Sequence, residues 1–303
     1  MTAKSSLTRP AHNSLGQWRD YLELCKPKVV ALMVFTAIVG MLLADPANID
    51  ISTLFYATVG IALVASAAAA INHVADSRID AAMDRTKLRP LPSGSLNKTS
   101  VLTFASVIGA VGMATLIVQI NILTATLTFL SLVGYAVIYT MYLKRATPQN
   151  IVIGGAAGAT PPLLGWTAVT GSVDADALVL FLIIFTWTPP HFWALAIYRK
   201  EEYAKVDIPM LPVTHGEDYT RLQITLYTVL MSVITVFPYF TGMSGMLYLV
   251  SVLLLNIGFL YYAVSLQITK SRTKAINTFV YSIIYLMVLF AVLLIDRFLP
   301  YLG

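Results

Sequence analysis

NHVADSRIDAAMDRTKLRP, residues 72–90, closes an apolar run, IALVASAAAA (61–70), that carries no charge at all. Asn72, Asp76, Asp80 and Asp84 recur every four residues, and Arg78, Arg85, Lys87 and Arg89 crowd in among and behind them. Residues four apart share one face of a helix, so the spacing predicts an acidic stripe where a helix leaves an apolar medium. Carboxylates stacked that way repel one another unless a cation lies between them.

The run before this stripe is one of many. Of 303 residues, 57% are hydrophobic and 12% charged, with a mean hydropathy of +0.75. A soluble chain of this length carries about a quarter charged residues. The apolar residues come in blocks long enough to cross a bilayer, not in narrow amphipathic stripes. Nine spans are expected, at 28–44, 54–75, 100–119, 122–141, 151–170, 177–198, 222–241, 245–266 and 276–296. The chain therefore reads as an all-α, polytopic bundle of nine transmembrane helices. It has a cytoplasmic tail at 1–27 and a single intramembrane domain at 28–303. The tail lacks the apolar core and small-residue cleavage site of a signal peptide. The single cysteine, Cys25, excludes an intramolecular disulfide and argues against a thiolate metal site.

Charge sets the expected orientation. With the N-terminus inside, nineteen of the twenty Lys and Arg fall on the cytoplasmic side and only Arg297 lies outside. The positive-inside rule favours that arrangement. The +5 net charge is this loop bias, so it gives no reason to invoke nucleic acid. Two long charged connections, 76–99 and 199–221, then share the cytoplasmic face and form a mouth at the ends of spans two and six. The expected location is the inner membrane of a prokaryote.

The chemistry lies in those connections. Hard divalent cations take oxygen ligands, and Mg2+ is typically held by one or two carboxylates plus substrate phosphates. Asn72, Asp76 and Asp80 form the tightest oxygen set, while Asp84 begins the basic stretch. Arg85, Lys87 and Arg89 supply donors suited to phosphate oxygens. Acids and bases together suit a metal–diphosphate. An ordinary solvated loop would explain the charges alone, but Asn72 and His73 lie within the membrane end of the helix, where polar residues mark function. The second cluster, HFWALAIYRKEEYAKVDIPMLP (191–212), offers Glu201, Glu202 and Asp207 as acids and Arg199, Lys200 and Lys205 as phosphate donors. Tyr198 and Tyr203 sit at the depth of an aromatic belt. His191, two turns inside span six after TWTPP, is either a hydrogen-bonded structural histidine or a ligand. Lys144 and Arg145 read as positive-inside anchors, and GGAAGA (154–159) as a surface for close helix packing.

Together, NHVADSRIDAAMDRTKLRPLPSG (72–94), YLKRATPQNIVIGGAAGATPPLLGW (142–166) and PPHFWALAIYRKEEYAKVDIPMLPV (189–213) resemble the UbiA-type intramembrane prenyltransferases. Within that family they are similar to its heme O synthase branch. The resemblance covers nearly the whole chain. It implies a nine-helix bundle that uses Mg2+ and an isoprenoid diphosphate, here farnesyl diphosphate, with protoheme IX (heme B) as acceptor. By the same resemblance Asn72, Asp76 and Asp80 hold Mg2+, and Arg85, Lys87, Arg89 and Arg199 bind the diphosphate. Tyr198 and Lys200 join the catalytic set, Glu202 and Asp207 are candidate second-metal ligands, and His191 and Trp193 are candidates on the heme side. The chain departs from the wider family in the second connection, where Glu202 and Asp207 are five apart instead of the usual D-x3-D. Implied partners beyond the substrates are membrane lipid and a heme A synthase or terminal oxidase assembly.

Two other classes fit parts of the pattern. Prenylation of an aromatic quinone precursor uses the same donor chemistry. A heme or isoprenoid transporter would explain the spans, but it predicts charge near the bilayer midplane. Topology is open to direct test. Cysteines introduced near Asp50 and Asp174 should be labelled from outside sealed cells, and those near Lys98 and Lys205 should not. Labelling of the Lys98 site would overturn the orientation.

Overall fold

In a computed structural model, which describes residues 14–48 and 50–301, the described residues form helices joined by turns and connections. Lys4, Arg9 and His12 of the expected tail lie outside the described residues. The rest of the tail forms α1 (Ser14–Leu24), whose Tyr21 packs on Phe104 with ring centroids 4.9 Å apart. Helices α2 (Pro27–Ala44), α3 (Ile51–Ala82), α4 (Lys98–Gln119) and α5 (Ile122–Val133) follow. The last widens into a π-helical segment, Gly134–Leu143, which leads into α6 (Lys144–Ala146). Next come α7 (Asn150–Ala159), α8 (Pro161–Thr170), α9 (Ala175–Tyr198), and the short α10 (Lys200–Ala204) and α11 (Leu211–Thr214). The bundle closes with α12 (Glu217–Ile234), α13 (Phe237–Phe240), α14 (Met246–Thr269) and α15 (Arg272–Phe298).

Local chemistry explains where several helices start. The Asp50 carboxylate accepts from the amides of Ser52 and Thr53, Asn97 from that of Ser100, and Asn121 from that of Thr124. Each cap satisfies amide donors that the first helical turn leaves unpaired.

Among the described residues, eight helical stretches are long and apolar enough to cross a membrane. The fifth expected span is instead two ten-residue helices, α7 and α8, that together cover 151–170. The break is chemical. Pro161 and Pro162 have no amide hydrogen, so the Ala157 carbonyl loses its helical donor. Hydroxyls of Ser131 (3.1 Å) and Thr160 (2.9 Å) donate to it instead. A broken helix within a bilayer requires that kind of replacement.

Helix α3 departs from expectation at its end. Its 32 residues span about 48 Å, against a hydrocarbon thickness of about 30 Å. The helix therefore continues past the expected end of span two and carries Asp76 and Asp80 on one face, as their spacing predicts, so the connection begins after Ala82 and not at 76. Asp84 does not stand on the helix, because Met83 is already extended.

Small residues set the closest crossings, as expected where no aqueous driving force separates helix–helix from helix–lipid contact. A Cβ on Gly165 would lie 1.9 Å from the Ala37 carbonyl oxygen, and one on Gly40 would lie 2.2 Å from that of Pro162. Backbones of α2 and α8 thus touch directly. Gly154 lies against the Tyr139 ring and Gly155 against Thr188, wedging α7 between the π segment and α9. One apolar core joins Leu180, Ile183 and Trp187 of α9 to Phe259, Tyr285 and Phe290. Another joins Trp193 and Ile197 to Ile208, Met210 and Leu211, with Ile79 of α3 packed against it. The second core ties the 199–221 connection to the acid-bearing end of α3.

Candidate active site

Asn72, His73, Asp76 and Asp80 are only 4, 2, 5 and 4% exposed. Two ionised carboxylates on successive turns of one helix cannot be buried without compensation. Lys144 Nζ donates to Asp76 Oδ2 at 2.6 Å, and Arg89 Nη1 donates to both oxygens of Asp80 at 2.9 Å. Lys26 Nζ donates to Asn72 Oδ1 at 2.6 Å. Asn72 Nδ2 in turn donates to Asp76 Oδ2 (3.0 Å) and to Thr140 Oγ1 (3.1 Å). The three cations come from three separate segments: the elbow before α2, the connection after α3, and the end of the π segment. Thr86 Oγ1, donating to the Asp80 carbonyl at 2.9 Å, folds that connection back onto α3. Three cations against two carboxylates leave the site positive, which suits an anion.

Lys26 adopts a left-handed backbone, φ 49° and ψ 59°, immediately before Pro27. The proline disfavours the right-handed helical region for its predecessor, and a non-glycine residue at positive φ costs about 1–3 kcal/mol. The elbow turns the side chain inward. Desolvation of that ammonium, aided by Arg89, pulls its pKa down to about 8.

The basic residues after α3 divide. Arg89 belongs to the site. Lys87 and Asp84 pair with each other at the surface, 2.8 Å apart, and the hydrogen bond from Lys87 holds the Asp84 carboxyl below its usual range. Arg85 sits between the two connections. Desolvation and then the charges of Arg199 and Arg89 lower its guanidinium pKa. Burial pushes the Tyr203 phenol up, against the opposing effect of Arg85 and Arg199.

From the second connection, Arg199, Glu202 and Tyr203 thus gather beside Arg85, with Arg199 3.8 Å from Glu202. The others face elsewhere. Lys200 reaches Glu217 (3.4 Å) and Glu201 reaches Arg272 (2.5 Å), which ties the connection to α12 and α15. Asp207 is exposed on a left-handed residue, φ 52°, and Tyr198 is 43% exposed.

Among the described residues, no three His, Cys, Asp or Glu side chains converge as a protein-only metal cage. Glu202 and Asp207 therefore complete no such group with Asp76 and Asp80. Mg2+ seldom needs one, because substrate phosphates and water fill its remaining positions. Asp76 Oδ1 is buried without any hydrogen-bond partner. An orphaned carboxylate oxygen flanked by Asn72 and Asp80 is an oxygen set that fits a hard cation.

His191 and Trp193 lie two residues apart on α9, so they point to different sides of the helix. The His191 ring is stacked between Trp187 (4.2 Å) and Phe279 (4.5 Å), and its Nδ1 lies 2.6 Å from Ser282 Oγ. Trp193 is 1% exposed in the second core, edge-on to Tyr227. The structure therefore does not place them in one pocket. His73 is buried with neither ring nitrogen hydrogen-bonded.

Three residues of the site carry no local sequence signal: Lys26, Lys144 and Thr140. A lysine at the end of a span looks the same whether it anchors the helix at the interface or turns inward. Lys144, expected as an anchor, is 14% exposed and sits on Asp76.

Comparison with known proteins agrees with this geometry. Residues 33–294 match the UbiA prenyltransferase family. The chain is 59% identical over 292 residues to the protoheme IX farnesyltransferase of Marinobacter nauticus, covering 96% of this chain and 97% of that one. The fold is similar to that of a solved digeranylgeranylglyceryl phosphate synthase, with TM-score 0.79, 21% identity, and 93% and 99% of the two chains covered. It is also similar to a UbiA homolog from Archaeoglobus fulgidus bound to GPP and Mg2+, with TM-score 0.62, 14% identity, and 90% and 99% coverage.

The ion pair makes a stability test. Lys144→Met leaves Asp76 buried without its cation and should cost about 3–5 kcal/mol, read as a lower unfolding midpoint in detergent. Adding Asp76→Asn should recover most of the loss. Equal midpoints for Lys144→Met and the parent would show that the pair does not neutralise a buried charge.

Proposed function

The chain belongs to the UbiA prenyltransferase family, and we propose that it transfers the farnesyl group of farnesyl diphosphate to protoheme IX. The transfer goes to a vinyl group, water adds, and the product is heme O. The acceptor rests on near-full-length identity to a protein named for protoheme IX. The donor rests on one structural observation: a buried row of Asn72, Asp76 and Asp80 met by three cations from separate segments, which leaves the site positive.

Asn72, Asp76 and Asp80 would hold Mg2+, with Asp76 Oδ1 the oxygen that has no other partner. The metal, when bound, neutralises charge building on the departing diphosphate. Lys26, Lys144 and Arg89 then exchange carboxylate and amide oxygens for diphosphate oxygens, assisted by Arg85 and Arg199. Lys87 and Lys200 are held by Asp84 and Glu217, and Tyr198 is exposed, so none of the three takes part in this exchange. The C1–O bond of the donor breaks with its electron pair leaving on the diphosphate. The vinyl π electrons form the new carbon–carbon bond to C1. The resulting cation takes water, and one proton is released. Fixed cations aimed at the leaving group stabilise charge where it develops, and the surrounding bundle keeps bulk water from the reactive carbon.

The mouth opens to the cytoplasm of a prokaryotic inner membrane, a reading supported by the distribution of Lys and Arg. Residues 28–303 act as one domain, and heme O passes on to a heme A synthase or to terminal oxidase assembly. Purified protein given protoheme, farnesyl diphosphate and Mg2+ should yield a hydroxyethylfarnesyl heme by mass spectrometry. Asp76→Asn should lower the rate on the order of a hundredfold or more. Prenylation of a quinone precursor with heme untouched, or near-normal turnover in Asp76→Asn, would refute the assignment.

On the acceptor side, His191 offers Nε2 to the heme iron, supported by the commitment of Nδ1 to Ser282. Heme titrated into His191→Ala should bind more weakly and with a shifted spectrum, while farnesyl diphosphate binding is kept. An unchanged spectrum and affinity would make His191 a packing residue.

A further inference from the structure

The π-helical segment Gly134–Leu143 brings Thr140 into a position that an α-helix would deny it. Residues five apart point about 140° from each other on an α-helix, whereas the i to i−5 bonding of a π-helix stacks them. Thr140 Oγ1 accordingly donates to the Tyr135 carbonyl, five residues back, at 2.7 Å. A hydroxyl has one hydrogen, so Thr140 can offer Asn72 only a lone pair. It accepts from Asn72 Nδ2 at 3.1 Å.

That decides which way the Asn72 amide faces. Its two N–H groups go to Thr140 and Asp76, and Oδ1 is left toward Lys26, which has only donors to give. We infer that Thr140 is a positioning residue: it holds the Asn72 amide with its oxygen on the Lys26 side, left to serve a cation once Lys26 turns to substrate, and thereby sets the metal affinity. This rests on the metal–diphosphate reading above. Under that reading Lys26 and Asp76 both change partners when substrate loads. Thr140 is uncharged and 2% exposed, and its hydroxyl has no reason to leave. Without it, the amide is free to turn end for end and present N–H groups to the cation.

The test uses the full-length protein in detergent, with Mn2+ as the probe and a non-ionising farnesyl thiodiphosphate as the anion. Free Mn2+ is followed by its paramagnetic resonance signal. Thr140→Val keeps the shape and removes the acceptor. It should weaken Mn2+ binding about 10- to 100-fold, the usual cost of losing a partner behind a metal ligand. Thr140→Ser, which keeps the hydroxyl, should bind Mn2+ as the parent does. Parent-like Mn2+ affinity in Thr140→Val overturns the inference, as does Thr140→Ser being impaired equally with Thr140→Val. Asp76→Asn in the same titration separates the two levels. If it loses Mn2+ while Thr140→Val keeps it, only the Thr140 role fails. If both keep it, the metal site itself is wrong and the Thr140 role falls with it.

Discussion

Two carboxylates buried on successive turns of one helix are the constraint around which this bundle is organised. Removing an ion from water costs several kcal/mol even after relaxation, so Asp76 and Asp80 tolerate burial only with cations in contact. Helix α3 cannot supply them from the same face without giving up the acids. They arrive instead as Arg89 from the folded-back connection after α3 and as Lys144 from the start of α6, while Lys26 of the elbow before α2 binds the Asn72 amide beside them. Charge neutralisation, with the hydrogen bond from Lys26 to Asn72, therefore fixes the mutual placement of these segments.

The irregular backbone near the site has the same economy. A bilayer supplies no water to unpaired carbonyls, so each departure from the α-helix needs a replacement donor. The Pro161–Pro162 break is met by hydroxyls of Ser131 and Thr160, and the π segment by the hydroxyl of Thr140 on Tyr135. Glycines at 40 and 165 bring the backbones of α2 and α8 into contact, and those at 154 and 155 let α7 lie against the Tyr139 ring and the Thr188 side chain. Both departures are compensated, and the π segment also brings Thr140 to Asn72.

The second charged connection is held by a different force. Its ion pairs, such as Glu201 with Arg272 and Asp218 with Lys270, are largely exposed, and pairs of that kind contribute about 0–1 kcal/mol each. Ile208, Met210 and Leu211, at 1, 4 and 1% exposure, dock it into the core that Ile79 also touches. Apolar burial seats the connection over the acid row, and the surface charges adjust its rim.

Hydropathy alone made the membrane class and eight of the nine expected spans legible, because a span must bury about twenty apolar residues whatever its neighbours are. The four-residue spacing of Asn72, Asp76 and Asp80 likewise marked the acid row, since that periodicity is local to one helix. Only the tertiary structure decided which cations meet those acids. Lys26 and Lys144 are 46 and 68 residues from Asn72 and Asp76, which they contact, and nothing in a lysine at a span end tells whether it faces lipid headgroups or a buried polar row. Tertiary structure also separated Arg89 from Lys87, and His191 from Trp193, pairs that adjacency in sequence had grouped. A two-residue step along a helix or turn reverses the facing direction, and the packing of other segments determines which direction is the inside.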